Sequence, residues 1–311
     1  MKKLGRTKID FLGIRKITFA ISAIMVLIGL VAVFSIPLGR AKMGIDFAGG
    51  VAVQFRFSKP IAINDVRKLL SENDFKDANL QQFAEPDMLL VRLKSSRGGL
   101  RVVSKALGDI FRKAMPENTF KIDSSTEIGP TVGKKLQLDA LKAIGIALLG
   151  ILFYVAWRFE FRFGVAAVVA TFHDVIVVMG LLYLMNKEIT LLIITALLTL
   201  AGYSLTDSVV VFDRIRENLR SQKKEGFIPL VNRSINEVLS RTVVTSLTTL
   251  LVLAALVFLG GNVIHDFALA LFLGVIVGTY SSVFIASPLL LLWKGKRAAE
   301  PVQNTAAKKG V

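Results

Sequence analysis

The chain has 311 residues, 53% of them hydrophobic, with a mean hydropathy of +0.59 and a formal net charge of +16 at neutral pH. Its apolar residues fall in uninterrupted blocks of about 20 or more, which excludes an ordinary soluble globular protein and indicates a polytopic α-helical membrane protein. With no cysteine, no disulfide and no thiolate metal site is available. The basic surplus lacks the stacking aromatics or recognisable module that nucleic-acid binding needs.

Residues 1–16 form a basic tail with Lys2, Lys3, Arg6, Lys8, Arg15 and Lys16, followed by an apolar block at 17–36. That block is longer than the roughly 7–15 apolar residues of a signal peptide, and Ser35-Ile36-Pro37 offers no small-x-small cleavage site. It is expected to remain as the first membrane helix, with its N-terminus in the cytoplasm.

Residues 37–137 have the balanced polarity of a water-facing domain. Val51 to Phe57 alternates like a half-buried strand, and Ala78 to Phe83, Met88 to Leu93 and Thr119 to Ile122 also read as strands. Ile63 to Leu70 and Leu100 to Ala114 repeat apolar residues at helical spacing, with Asn64 as an expected cap of the first. The order βαββαβ predicts an α+β ferredoxin-like domain, extracytoplasmic, between the first and second membrane helices. It contains no histidine, and the whole chain carries no Gly-x-Ser-x-Gly or His-Glu-x-x-His motif, so an enzyme is not expected.

Five further apolar blocks, 138–157, 163–185, 189–212, 243–261 and 267–293, complete six expected spans. Asp139 and Lys142 form an i,i+3 pair near the outer end of the second. Residues 213–242 read as a cytoplasmic amphipathic link and 294–311 as a disordered cytoplasmic tail. On the expected cytoplasmic side the tails and short loops hold 20 Lys and Arg, whereas the opposite short loops hold only Lys187. This bias places both termini in the cytoplasm.

Asp207, inside the fourth span, is the most informative residue. A carboxylate in hydrocarbon costs at least about 2.5 kcal/mol, so a helix carries one only where it has a partner or a proton to trade. It lies ~8 Å of rise inside the cytoplasmic end of its helix, too deep for so short a side chain to reach water. Arg241, at the mouth of the antiparallel fifth span, is the expected partner. The alternatives are a static salt bridge for Asp207 and a guanidinium that only reaches the headgroups for Arg241.

His173 and Asp174, adjacent near the middle of the third span, read either as a proton relay or as a buried pair bonding neighbouring helices. Tyr203, Ser204 and Thr206 lie within about a turn of Asp207, and Thr242, Thr245, Ser246 and Thr249 open the fifth span. Hydroxyls in that pattern carry a water chain or satisfy nearby backbone. Asp213, Arg214, Arg216, Glu217 and Arg220 continue the fourth helix into the cytoplasm as a charged motif, with Arg214 and Glu217 as i,i+3 neighbours.

After Gly226, the one-sided spacing of Ile228, Val231, Ile235 and Val238 predicts a helix lying in the membrane surface. Ser234 with Glu237 suits a capping box if the helix restarts there. Gly274-Val-Ile-Val-Gly278 predicts a close helix approach, and Pro288 a kink.

Five segments, in this order along the chain, resemble the signatures of the SecD/SecF protein-export family on its SecF side. They are Gly44-Ile-Asp-Phe-Ala-Gly-Gly50, Gly129-Pro-Thr-Val-Gly133, His173-Asp174, Gly202 to Asn218 and Ser240 to Leu250. The resemblance implies membership of the resistance-nodulation-division superfamily, which uses proton flow through the membrane to move domains outside it. It implies SecD as the partner half of a twelve-span body, association with the SecYEG channel and with YajC or YidC, and an unfolded polypeptide as cargo. It also implies contact with lipid in the bacterial cytoplasmic membrane, and no cofactor beyond a proton gradient coupled through Asp207 and Arg241. Where the family has Asn-Asp this chain has Thr206-Asp207, which keeps a hydroxyl but loses the amide's two donors. No cluster of oxygen ligands suggests a metal site. Half of a small-molecule or lipid exporter, which would carry a larger outer domain, and a passive scaffold of the channel are the competing functions.

Overall fold

The computed structural model describes residues 8–83, 85–94, 99–158, 160–221 and 226–293. The basic tail before Lys8, the tail 294–311 and residues 222–225 of the expected link lie outside them.

After the first helix, α1 (Arg15–Ser35), and a short turn of helix, α2 (Ile45–Ala48), the chain builds a four-stranded sheet with two helices. In order these are β1 (Gly50–Phe57), α3 (Ile63–Glu72), β2 (Asn79–Gln82), β3 (Met88–Lys94), α4 (Leu100–Ala114) and β4 (Phe120–Ile128). The sheet order is β2-β3-β1-β4 with every neighbouring pair antiparallel. Strand alternation sends Val51, Val53, Phe55 and Phe57 into one core with Leu70 of α3 and Val103, Leu107 and Phe111 of α4. Phe55 and Phe111 meet edge to face with centroids 5.0 Å apart. Asn64 does not cap α3: the helix starts one residue earlier, with Ala62 in the cap position and no side-chain cap. The helix therefore rests on its packed face, Val66 and Leu70, rather than on a terminal hydrogen bond.

Five more helices complete the molecule: α5 (Pro130–Arg158), α6 (Phe161–Leu184), α7 (Leu191–Arg220), α8 (Phe227–Leu259) and α9 (Gly261–Ser281). With α1, and with α9 extended through Leu292, six helices are long and apolar enough to cross a membrane, and the chain is a multi-pass membrane protein. Helices α6, α7 and α9 are the more buried, whereas α5 turns Ile146, Leu149, Phe153 and Trp157 outward.

The expected surface helix and fifth span are one continuous 33-residue helix, α8. Its apolar stripe, Phe227, Leu230, Val231 and Ile235, is buried against the bundle together with Phe11 and Leu12, not laid on lipid. The amphipathic pattern covers protein because the N-terminal segment sits on it: Asn236 exchanges two hydrogen bonds with the Ile9 backbone, and Asn232 accepts from Leu12 N at 3.0 Å. Without a helix restart there is no capping box at Ser234, whose hydroxyl donates to Leu230 O.

Directly ahead of Pro288, which has no N–H to continue the α ladder, the last helix widens into a π turn, Ser282–Ala286, where Ser287 Oγ donates to Ser282 O at 2.8 Å. Two glycines set the crossing of α1 and α6: a Cβ on Gly29 would lie 2.2 Å from the Ile176 carbonyl oxygen, and one on Gly180 would lie 2.8 Å from the Gly29 Cα.

The sheet domain is tied to the turn between α6 and α7. Ile189 N donates to Lys42 O at 2.8 Å, Gly44 N to Ile189 O at 2.9 Å, and Leu191 N to Asp46 Oδ2 at 2.9 Å. Glu188 accepts from Asn79 of β2 and pairs with Arg92 of β3 at 3.2 Å.

Candidate functional site

Most of the polar residues singled out above gather into two groups, one around Asp207 with the charged motif beside it and one around Asp174. The first surrounds Asp207. Helix α7, opened by Thr190 Oγ1 accepting from Ile193 N at 3.3 Å, carries Asp207 to a position only 7% exposed. There it has Ser246 as a hydrogen-bonding neighbour and Arg241 within electrostatic reach, both on α8. Ser246 Oγ in turn lies 2.7 Å from Thr279 Oγ1 of α9. The other carboxylate oxygen, Oδ2, is buried without a hydrogen-bond partner. Among the described residues no ion pair within 4.0 Å joins Asp207 to Arg241, whose guanidinium acts on the carboxylate from farther away. A buried carboxylate short of partners is held at a cost, which is the condition for exchanging a proton.

Arg241 is exposed and lines a cavity of about 610 Å³ at the end of the bundle away from the sheet. The cavity wall also holds Arg158, Asp213, Arg214, Glu217 and Glu237, together with Val209 and Val210 from the turn after Asp207. The charged motif on α7 is therefore gathered at the mouth nearest Asp207. Arg214 is its hub, with Nε donating to Glu237 at 2.6 Å and Nη1 to Glu217 at 2.6 Å. Asn218 supports Glu237 at 2.8 Å and Ser234 at 2.9 Å. Arg216 donates to the Arg158 carbonyl at 3.2 Å. Glu237 is a partner that sequence reasoning assigned to a cap; its separation from Arg214 by 23 residues across two helices left no local signal.

The second group is centred on Asp174. His173 Nδ1 lies 2.9 Å from Asp174 Oδ1, and Asp174 Oδ2 accepts from Ser204 Oγ at 2.5 Å and Ser281 Oγ at 2.7 Å. Ser281 was missed as a partner, although it follows Gly278 by three residues and so shares the face that approaches α7.

The remaining candidates stay apart. Thr206 is exposed and donates to Gly202 O at 3.0 Å, so it does not orient the neighbouring carboxylate. Thr245 donates to Arg241 O and Thr242 O, and Thr249 to Thr245 O, which satisfies backbone and forms no chain of side chains. The Tyr203 and Thr242 hydroxyls are buried without partners. Among the described residues no cluster of three or more His, Asp or Glu is arranged to hold a metal ion.

Comparison with known proteins places these residues in a lineage. The model for "Protein export membrane protein SecD/SecF, C-terminal" matches residues 107–296. The protein translocase subunit SecF of Thermodesulfovibrio yellowstonii is 52% identical over 295 residues, covering 93% of this chain and 96% of that protein. The subunit SecDF of Thermus thermophilus is 42% identical over 262 residues, which are 82% of this chain but 35% of that longer protein. The crystal structure of Thermus SecDF, a translocon-associated membrane protein, superposes with a TM-score of 0.81 at 38% identity, covering 93% of this chain and 39% of that one. The chain belongs to the SecD/SecF family of protein-export membrane proteins.

Proposed function

We infer that this chain is a SecF-type subunit of a protein translocase accessory complex, in which proton uptake and release at Asp207 drives the outer domain. SecD is the partner: the Thermus relative carries both names in one polypeptide, of which this chain matches 35%. In this reading the sheet domain, whose βαββαβ order and antiparallel pairing suit a ferredoxin-like arrangement, stands outside the bacterial cytoplasmic membrane. Both termini are inside, as the 20-to-1 charge bias requires. The complex acts with the SecYEG channel, and with YajC or YidC, on emerging unfolded polypeptide.

One observation carries the coupling role: Asp207 is buried with an unpartnered oxygen, beside Ser246, while Arg241 faces a cavity at the bundle's end. Arg241 alternates between the cavity and the carboxylate as the latter changes charge, and the salt-bridged motif around Arg214 frames the passage to the cytoplasm. The chain does mechanical work and catalyses no bond change.

The test is export in reconstituted vesicles containing this chain, SecD and the channel. Asp207→Asn is expected to remove the stimulation produced by a proton gradient, at least about tenfold if the step it gates limits the rate, while leaving the gradient-independent rate intact. Export indifferent to collapse of the gradient would instead make the protein a scaffold.

A further inference from the structure

Asp174 is wholly buried, and its hydrogen bonds join α6, α7 and α9 on a single carboxylate. The helices can meet there because α9 turns glycine toward α7. A Cβ on Gly278 would lie 3.3 Å from the Ser204 Cβ, and one on Gly274 would lie 2.7 Å from the Leu200 methyls. One helical register later α9 leaves α geometry for its π turn.

Of the helices gripped by Asp174, α7 bears Asp207 itself and α9 holds, through Thr279, the Ser246 of α8 that neighbours Asp207. On α7, Ser204 stands one turn ahead of Asp207. On α9, Ser281 lies two residues beyond Thr279, which holds Ser246, which in turn neighbours Asp207. The first route runs along one turn of α7, and the second along the α9 backbone from Ser281 to Thr279 and then through the Thr279–Ser246 hydrogen bond.

We propose that Asp174, held by His173, is a positioning residue: by pinning Ser204 and Ser281 it sets the rotation of α7 against α9 that points Asp207 at Ser246 and Arg241. The inference rests on Asp207 being the coupling residue. Asp174 needs to exchange no proton for this. As a carboxylate it already accepts from both serines and from the imidazole, whereas an amide in its place would offer one oxygen only. Among the described residues, His173 is the titratable group bonded to Asp174, and Arg241 is the charged group acting on Asp207.

Two variants test it in the full chain assembled with SecD in vesicles: Asp174→Asn, and the pair Ser204→Ala with Ser281→Ala, which keeps the carboxyl but removes its grip. Gradient-driven export is measured beside the labelling of each carboxyl by an apolar carbodiimide as a function of pH, resolved by peptide mass mapping. Both variants are expected to lose about fivefold in gradient-driven export. Both are also expected to change the labelling rate of Asp207 about threefold or more, with an altered pH profile. Unchanged Asp207 labelling in both variants overturns the proposal even if export falls, because a general packing defect would not be read at that carboxyl. A pH-dependent label on Asp174 itself, with the serine pair dispensable, overturns it in favour of a second proton carrier. Full-speed export by Asp207→Asn is a different failure: it removes the coupling role, while the labelling still reports whether Asp174 sets the surroundings of Asp207.

Discussion

Two cores with opposite habits make up this molecule. In the sheet domain Phe55, Phe57, Phe111 and Phe120 contact one another, and among its described residues no polar one is buried, Ser104 Oγ being the one buried side-chain polar atom there without a partner. In the helix bundle Thr171, His173, Asp174, Ser204, Asp207, Asn218, Ser234, Asn236, Thr242, Ser246 and Ser281 are all buried. Several hydrogen-bonding atoms there, including His173 Nε2 and Asp207 Oδ2, have no partner. The sheet domain thus has the chemistry of a rigid body, and the bundle that of a device with more than one low-lying arrangement, since an unsatisfied buried group favours any motion that satisfies it.

The largest effect expected from challenging this contrast is in the sheet domain. Phe111→Ala removes a ring that touches three other phenylalanines and is expected to destabilise the domain by about 3–5 kcal/mol, read by pulse proteolysis in denaturant. A cost below about 1 kcal/mol would show that the core is not closely packed. Gly29→Val comes next: its side chain would enter the backbone of α6, at a cost of about 1–3 kcal/mol, lowering the detergent melting temperature of the full chain. Glu188→Gln keeps a partner for Asn79 but loses the pairing with Arg92, worth about 1 kcal/mol at this partly exposed site. Faster hydrogen exchange along β2 and β3, with the bundle unaffected, is the expected readout. Thr206→Ala is expected to change stability and gradient-driven export least, within about 0.5 kcal/mol, because its hydroxyl serves only its own helix. A large loss there would mean that the exposed face of α7 is occupied by a partner that reads the hydroxyl.

Much of this architecture was legible in the chain itself. Strand alternation at Val51 to Phe57 and the helical spacing from Leu100 to Ala114 match observed elements, because burial on one face writes its period into the sequence. The Arg214–Glu217 pair was legible for the same reason, being local. What escaped was tertiary. Nothing near Ser234 reveals that α8 runs unbroken through it, since Gly226 and Pro229 are equally compatible with a helix start. Gly29 and Gly180 are isolated glycines without a motif, and their meaning lies only in facing each other. Thr206 adjoins Asp207 in sequence, yet one step along a helix turns a side chain by about 100°, so the two face different surroundings.

The turn between α6 and α7 has a mechanical implication. Through Glu188, Ile189 and Leu191 it is fastened both to the strands β2 and β3 and to the segment leading into β1. The two helices it joins are the ones bearing Asp174 and Asp207. Any piston-like stroke or tilt of that helical hairpin would reach the strands through Glu188 and the segment before β1 through Ile189 and Leu191, so the domain is mounted on the hairpin as a load is mounted on a strut.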